Sequence, residues 1–295
     1  MILDGGLATQ LEAQGCDIGN ALWSASLLQS NPDAIVAATR AYLDAGAECV
    51  ATATYQASRE GFAARGLSAE RADELMLLSV ELATQARAEF LQAHPEIEFE
   101  PLIAASIGPY GAMLHDGSEY TGNYDVTAET LRRFHQSRLK LMDGSSADVL
   151  AVETVPSRIE AEVLADLLTN CETPAWISFS CRDGAHVVDG SRVEEVAAMY
   201  ADHSTAVGIG INCTPPQYVP ELVRRLKTAA PRKVTLAYPN SGEIYNAEDN
   251  SWSGTVTPGD CAAAAQAWVS AGAGIVGGCC RMGPDHIRAM REVLR

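Results

Sequence analysis

TPGDCAAAAQAWVSAGAGIVGGCCRMGPDHIRAMREVL, residues 257–294, carries one full turn of the pattern that decides the fold. Thr257 is a capping residue followed by Pro258, whose missing N–H costs nothing in a first helical turn, so a helix is predicted over 258–271 with Gly272 as its stop. The apolar run 275–279 then reads as a strand, and residues 284–294 as a second helix, again opening on proline.

The same alternation extends back to the N-terminus. Strands are predicted at 2–4, 49–53, 102–107, 149–153, 176–181, 207–213, 234–238 and 275–279. Helical patterns occupy 32–46, 68–93, 127–145, 157–168, 192–202, 215–230, 258–271 and 284–294, with Asn31-Pro32 and Gly46 repeating the start and stop signals. Strands separated by helices predict a parallel sheet. Eight such units in 295 residues predict an α/β fold, a single (β/α)8 TIM barrel spanning residues 1–295, because doubly wound sheets usually stop earlier. The polar stretches 109–125 and 239–257 fit βα loops on the face where barrel enzymes keep their catalytic groups.

Composition is that of a globular chain, 47% hydrophobic and 20% charged. A net charge of -17 and the lack of a Lys/Arg stripe argue against nucleic acid as a partner. The opening MILDGG has neither a basic flank nor a long apolar core, and no run is long enough to span a bilayer, so export and membrane insertion are not expected. Eight cysteines in a chain too large to need disulfide staples fit a reducing cytoplasm.

Two sulfur motifs stand out, GINC ending at Cys213 and GGCC containing Cys279 and Cys280. They close predicted strands six and eight, whose ends open onto one face of a barrel, so three thiols distant in sequence converge. Three soft ligands suit zinc and leave one coordination position for substrate. Spacing alone leaves other readings open: buried hydrophobic cysteines, the reading given to Cys16, Cys49, Cys171, Cys181 and Cys261, or a strained vicinal disulfide.

Over nearly its whole length the sequence resembles the homocysteine S-methyltransferase family. The resemblance is carried by ILDGGLATQLE (2–12), TATYQAS (52–58), ASIGPYGA (105–112), DGSEYTGNY (116–124), GINCTPPQ (210–217), YPNSGEIYN (238–246) and GGCCRMGPDHI (277–287). It implies a barrel whose Zn2+ is held by Cys213, Cys279 and Cys280, and a reaction that methylates the thiolate of L-homocysteine. It further implies that Asp4 and Glu153, at the ends of strands one and four, hold the homocysteine ammonium group. SIGPYGA and DGSEYTGNY resemble the branch that uses sulfonium donors, S-methylmethionine or S-adenosylmethionine. Thr154 stands where betaine-using relatives carry tyrosine, and Met282 where a small polar residue is more usual. The same fold with betaine as donor or selenocysteine as acceptor, or a non-catalytic structural zinc protein, are the alternatives. Betaine-using relatives have a C-terminal extension that builds their oligomer, so its absence predicts a monomer or weak homodimer.

Several residues around these motifs are expected to support the site. Gly5 and Gly6 allow close backbone approach, with N–H groups for a carboxylate, although a plain tight turn explains them equally. Gly277 and Gly278 are expected to bend the chain so that both adjacent thiols reach one metal. Tyr55, Tyr110, Tyr120 and Tyr124 sit in loops or past strand ends, where contact with a cationic donor competes with ordinary packing. Asn240 and Glu243, after strand seven, are further substrate-binding candidates. His94, His135, His203 and His286 fall in or beside helices and read as surface residues. A neutral thioether leaving group requires no general acid, so no catalytic base is assigned.

Overall fold

The computed structural model describes residues 1–19, 22–242, 244–246, 251–253 and 256–295. Seven parallel strands form one sheet in the order β1 (Cys49–Ala51), β2 (Leu102–Ile107), β3 (Val149–Val155), β4 (Ala175–Phe179), β5 (Ala206–Asn212), β6 (Val234–Tyr238) and β9 (Ile275–Val276). Between β6 and β9 lies an antiparallel pair, β7 (Ile244–Asn246) with β8 (Ser251–Ser253), which the pattern of residues 239–257 did not predict.

Residues 2 and 3, predicted as the first strand, make only isolated parallel bridges, Ile2 to Val276 and Leu3 to Cys49. Backbone hydrogen bonds run from them to both edges of the sheet. Leu3 donates to the Val276 carbonyl at 2.8 Å, Glu48 to Ile2 at 2.7 Å and Asp4 to Cys49 at 3.0 Å. The segment therefore sits between β1 and β9 and bonds to each.

Helices on the crossovers are α1 (Leu7–Ala13), α2 (Leu27–Ser30) and α3 (Pro32–Ala45) before β1, then α4 (Arg59–Ala63) and α5 (Ala69–Ala93) before β2. They continue with α6 (Tyr110–Leu114), α7 (Ala128–Asp143), α8 (Arg158–Leu168), α9 (Val193–Ala198), α10 (Val219–Ala229), α11 (Pro258–Ala271) and α12 (Pro284–Leu294). Their ends follow local chemistry. Ser58, Ser68, Thr127, Ser157 and Thr257 each accept a backbone N–H three residues on. Gly46 and Gly272 end α3 and α11 in the left-handed region, φ 102° and 117°. The helix predicted over 215–230 opens instead as a 3-10 turn at Pro216–Tyr218, since two prolines and then Pro220 withhold N–H donors there.

Strand residues alternate between two cores, as a period of two requires. Val50, Ile103, Ala105, Leu150, Val152, Ile177 and Ile209 pack with the helices. Leu3, Cys49, Ala104, Ala151, Trp176, Leu236, Tyr238 and Ile275 form a separate cluster drawn from both edges and the middle of the sheet. Burial on both faces is why these strands read as nearly continuous apolar runs. Among the described residues no helix is long and apolar enough to cross a membrane.

Candidate metal and substrate site

Beyond the C-terminal ends of the strands lies a cavity of about 120 Å³. Its wall carries Cys213, Cys279 and Cys280 on one side, Asp4 and Glu153 in the floor, and the aromatic rings of Trp23, Tyr55, Tyr120, Trp176 and Tyr238.

The three sulfurs come from two separate turns. Cys213 follows the last residue of β5 in a left-handed conformation, φ 45°, a strained state for a residue with a Cβ. Thr214 braces the turn: its hydroxyl donates to the Asn212 carbonyl at 2.9 Å and accepts from the Cys181 N–H. Cys279 and Cys280 lie past the end of β9. The Cys279 N–H donates to the Pro239 carbonyl, and the Cys280 carbonyl accepts from Ser241 N–H, so the loop after β6 holds the paired cysteines. The Sγ atoms are 2.7 Å apart for Cys213–Cys279, 3.7 Å for Cys213–Cys280 and 4.0 Å for Cys279–Cys280, with no disulfide among the eight cysteines.

This donor set fits a soft divalent ion. Bonds of about 2.3 Å in tetrahedral geometry separate thiolates by about 3.8 Å, close to two of the three spacings. Among the described residues no histidine, carboxylate or further cysteine joins the three, so a tetrahedral ion held by them would have one position left over. Hydrogen bonding from Cys213 and Cys279 holds the Cys280 thiol well below its ordinary pKa, while the Cys213 and Cys279 thiols are pushed up, so thiolate character sits on Cys280. Bringing all three to thiolate would take a positive charge among them.

Asp4 follows the 2–3 segment and is buried, with one carboxylate oxygen accepting the Ala51 N–H at 2.7 Å. Glu153 accepts from the Ser106 hydroxyl and faces the Tyr238 hydroxyl. Burial pushes both carboxyls up to about 7, and the charge of Glu153 adds to the shift at Asp4. The β3–β4 register slips between Val152 and Val155, and within that irregularity Thr154 takes φ 61°. A bulge at a strand end re-aims the neighbouring side chain, here Glu153, toward the cavity.

The glycines serve close packing. A Cβ on Gly5 would stand 2.0 Å from the Met282 carbonyl oxygen, and one on Gly278 2.6 Å from the Met282 Cβ. Gly5 lines the cavity, but the Gly6 N–H already donates to the Met282 carbonyl at 2.9 Å and so is not free for a carboxylate. Gly277 and Gly278 admit Leu3, Asp4 and Met282 at short range. Met282, fully buried, is the packing residue that this loop is built on.

Of the aromatic candidates, Tyr55 and Tyr120 line the cavity; Tyr110 and Tyr124 do not. The Tyr110 and Tyr124 rings meet tilted at 58°, 5.6 Å apart, and Tyr110 also meets Phe134 edge-on. Both are tied to Glu160, which accepts the Tyr110 N–H at 2.7 Å and the Tyr124 hydroxyl at 3.0 Å. His135 is the third donor to Glu160, at 2.7 Å, and is fully buried, not a surface residue as its helical position suggested. Burial lowers its pKa, so the neutral imidazole donates from Nε2. Asn240 does not line the cavity; its side-chain oxygen caps Gly242 N–H at 3.1 Å and shapes the loop behind the cysteines. Glu243 lies outside the described residues.

Further contributors were missed in the sequence, among them Ser106, Trp176 and Tyr238, which were read only as strand residues. Trp23 reaches the cavity from a left-handed turn, φ 45°, and carries no periodic signal. Gln56 lines the cavity, with its amide N–H fixed on the Ala112 carbonyl. Arg138, fully buried on α7, donates to the carbonyls of Gly108, Thr54 and Tyr55, holding the loops after β1 and β2 together. Asn212 bridges β3 and β5 beneath Cys213. Only Asn212 had a visible cue, the polar residue within GINC.

Comparison with known proteins agrees with this geometry. Residues 1–294 match the sequence family described as homocysteine S-methyltransferase. Homocysteine S-methyltransferase YbgG of Bacillus subtilis (strain 168) is 45% identical over 291 residues, covering 98% of this chain and 92% of the relative. Homocysteine S-methyltransferase 2 of Zea mays is 43% identical and covers 100% and 89%. The crystal structure of the homocysteine methyltransferase MmuM from Escherichia coli in its metallated form superposes with a TM-score of 0.88 at 39% identity, covering 99% of this chain and 95% of that one.

Proposed function

Because the chain belongs to the homocysteine S-methyltransferase family, we propose that it transfers a methyl group from a sulfonium donor to L-homocysteine, using one zinc ion held by Cys213, Cys279 and Cys280. S-methylmethionine is the preferred donor in this reading and S-adenosylmethionine the second. The observation that carries it is the convergence of three thiols, from turns 66 and 67 residues apart, on one side of a cavity floored by two carboxyls. That a relative of the same fold has a metallated form supports a metal here. The bridges from residues 2 and 3 to both sheet edges support reading the fold as a closed eight-stranded barrel.

Zinc bound to the three cysteines would lower the pKa of a thiol in its fourth position, so that homocysteine is held as thiolate at neutral pH. The chain's own residues do the rest. Asp4 and Glu153, whose carboxyls are raised to about 7, are held ionised by the homocysteine ammonium group and fix the acceptor's orientation. Trp23, Tyr55 and Tyr120 offer ring faces to the sulfonium and exclude water from it. As the new S–C bond forms, the old one breaks with its electron pair remaining on the departing sulfur. That sulfur leaves as a neutral thioether, so no residue need supply a proton. Alignment and desolvation, rather than acid–base chemistry, are what the cavity must provide.

Donor choice follows from hydrogen bonding. S-methylmethionine presents ammonium and carboxylate groups to a polar wall, whereas betaine has no N–H and leaves acceptors there unpaired. Methionine formation from homocysteine, measured with S-methylmethionine, S-adenosylmethionine and betaine at matched concentrations, should rank them in that order. Betaine as the best donor would overturn the assignment.

A further inference from the structure

Glu153 and Cys213 belong to different strands, yet the backbone beside each is bent into the left-handed region. Thr154, the residue after Glu153, has φ 61°, and Cys213 itself has φ 45°. A β-branched residue avoids that conformation unless its surroundings impose it. One residue joins both turns, through its side chain to Thr154 and through the backbone to Cys213. Asn212, fully buried and immediately before Cys213, accepts the Thr154 N–H on Oδ1 at 2.8 Å and donates from Nδ2 to the Thr154 hydroxyl at 2.7 Å. Its Oδ1 also accepts from the Ser178 hydroxyl at 3.0 Å, and Ser178 in turn contacts the hydroxyl of Tyr238, which faces Glu153. The Thr154 N–H fixes which way the amide points, because reversing it would set Nδ2 against that N–H, donor against donor.

We propose that Asn212 is a positioning residue that couples the metal ligand Cys213 to the substrate carboxyl Glu153, holding both left-handed turns through its reciprocal pair with Thr154. The inference rests on the zinc and homocysteine reading above. Removing Asn212 frees Thr154 to relax to an ordinary conformation, which moves Glu153, and releases the turn that aims Cys213 Sγ. Both sites should therefore weaken together, although Asn212 lines the cavity with little chemistry of its own.

The test measures zinc affinity by competition with a chromophoric chelator, homocysteine KM and kcat, and melting temperature. Wild type, Asn212→Ala, Thr154→Val and the double variant are compared. Tyr200→Phe is the control: it removes an equally buried hydrogen bond, to the Ala161 carbonyl, in the helical layer. Asn212→Ala is expected to bind zinc about ten- to a hundredfold more weakly, the usual effect of removing an outer-shell partner, and to raise KM for homocysteine. Thr154→Val should give a smaller loss in both, and the double variant should be no worse than Asn212→Ala alone. Tyr200→Phe should lower only the melting temperature. Zinc affinity and KM unchanged in Asn212→Ala, on a wild type that binds zinc and methylates homocysteine, would overturn the coupling while leaving the function standing. A wild type that binds no zinc would overturn both.

Discussion

Asp4 is buried and Glu153 half-buried, and desolvation pushes both carboxyls up to about 7. An incoming ammonium group reverses that shift, so binding an amino acid should expel protons. Methionine, which lacks a thiol, isolates this effect from ionisation at the metal. Calorimetry in buffers of different ionisation enthalpy should show protons released when methionine binds near pH 6 and little release near pH 9. The same shifts bear on stability: the unfolded acids ionise near pH 4 and the folded ones near 7, so the folded state holds more protons in that interval and loses stability as pH rises through it. Asp4→Asn and Glu153→Gln should flatten that slope. They should also cost about 1.5–3 kcal/mol in kcat/KM for homocysteine, roughly ten- to a hundredfold, with zinc content unchanged. Unaltered homocysteine kinetics in both variants would reduce these carboxyls to a structural role. At this scale the three thiols were singled out by GINC and GGCC at predicted strand ends, and the two acids by the family resemblance. Trp23 and Arg138 were not, since an isolated Trp or a helical Arg looks the same in sequence whether it meets solvent, a cavity or buried carbonyls.

Between residues and fold, the loop from Tyr110 to Tyr124 decides how the cavity wall is shaped. Its two ends are pinned to a single acceptor, Glu160 on α8, which also takes the His135 N–H from α7. Three donors converge on one buried carboxyl group. Replacing Glu160 by Gln leaves one oxygen for the Tyr110 and His135 donors and sets an amide N–H against Tyr124, whose hydroxyl must turn to accept and so loses the acceptor for its own hydrogen. Urea denaturation should show a loss of about 1–3 kcal/mol for each donor left unpaired, and KM for S-methylmethionine should rise because Tyr120 rides on the same loop. Full stability in Glu160→Gln would contradict the clamp. Helix starts and strand interiors were readable here from caps, prolines and apolar runs. The role of Tyr110 and Tyr124 was not, because a loop tyrosine facing substrate and one packed behind the wall differ only in the partner across from them. His135 was misplaced for the same reason: its acceptor lies 25 residues away.

As a whole the molecule brings every reactive group to one end of a parallel sheet, a consequence of strands that all point the same way. The first segment shows what sequence leaves open. Its residues predict a strand, yet only Ile2 and Leu3 bridge, because Asp4 has already turned toward the cavity and its backbone serves Gly278 and Cys49. The sheet's curvature, which lets both of its edges bond to that segment, follows from packing of side chains from all strands and not from any local motif. The net charge of -17 mildly favours a cationic donor, but the site itself, acids below and thiols beside, carries the discrimination. The central claim is a three-cysteine zinc site that makes homocysteine nucleophilic toward a sulfonium. Its most direct test is to strip the protein of metal, titrate zinc back from zero to two equivalents, and follow methionine formation from homocysteine and S-methylmethionine. Activity should rise in proportion to zinc and break at one ion per chain; activity that ignores zinc, or no methionine at any zinc level, would contradict the account.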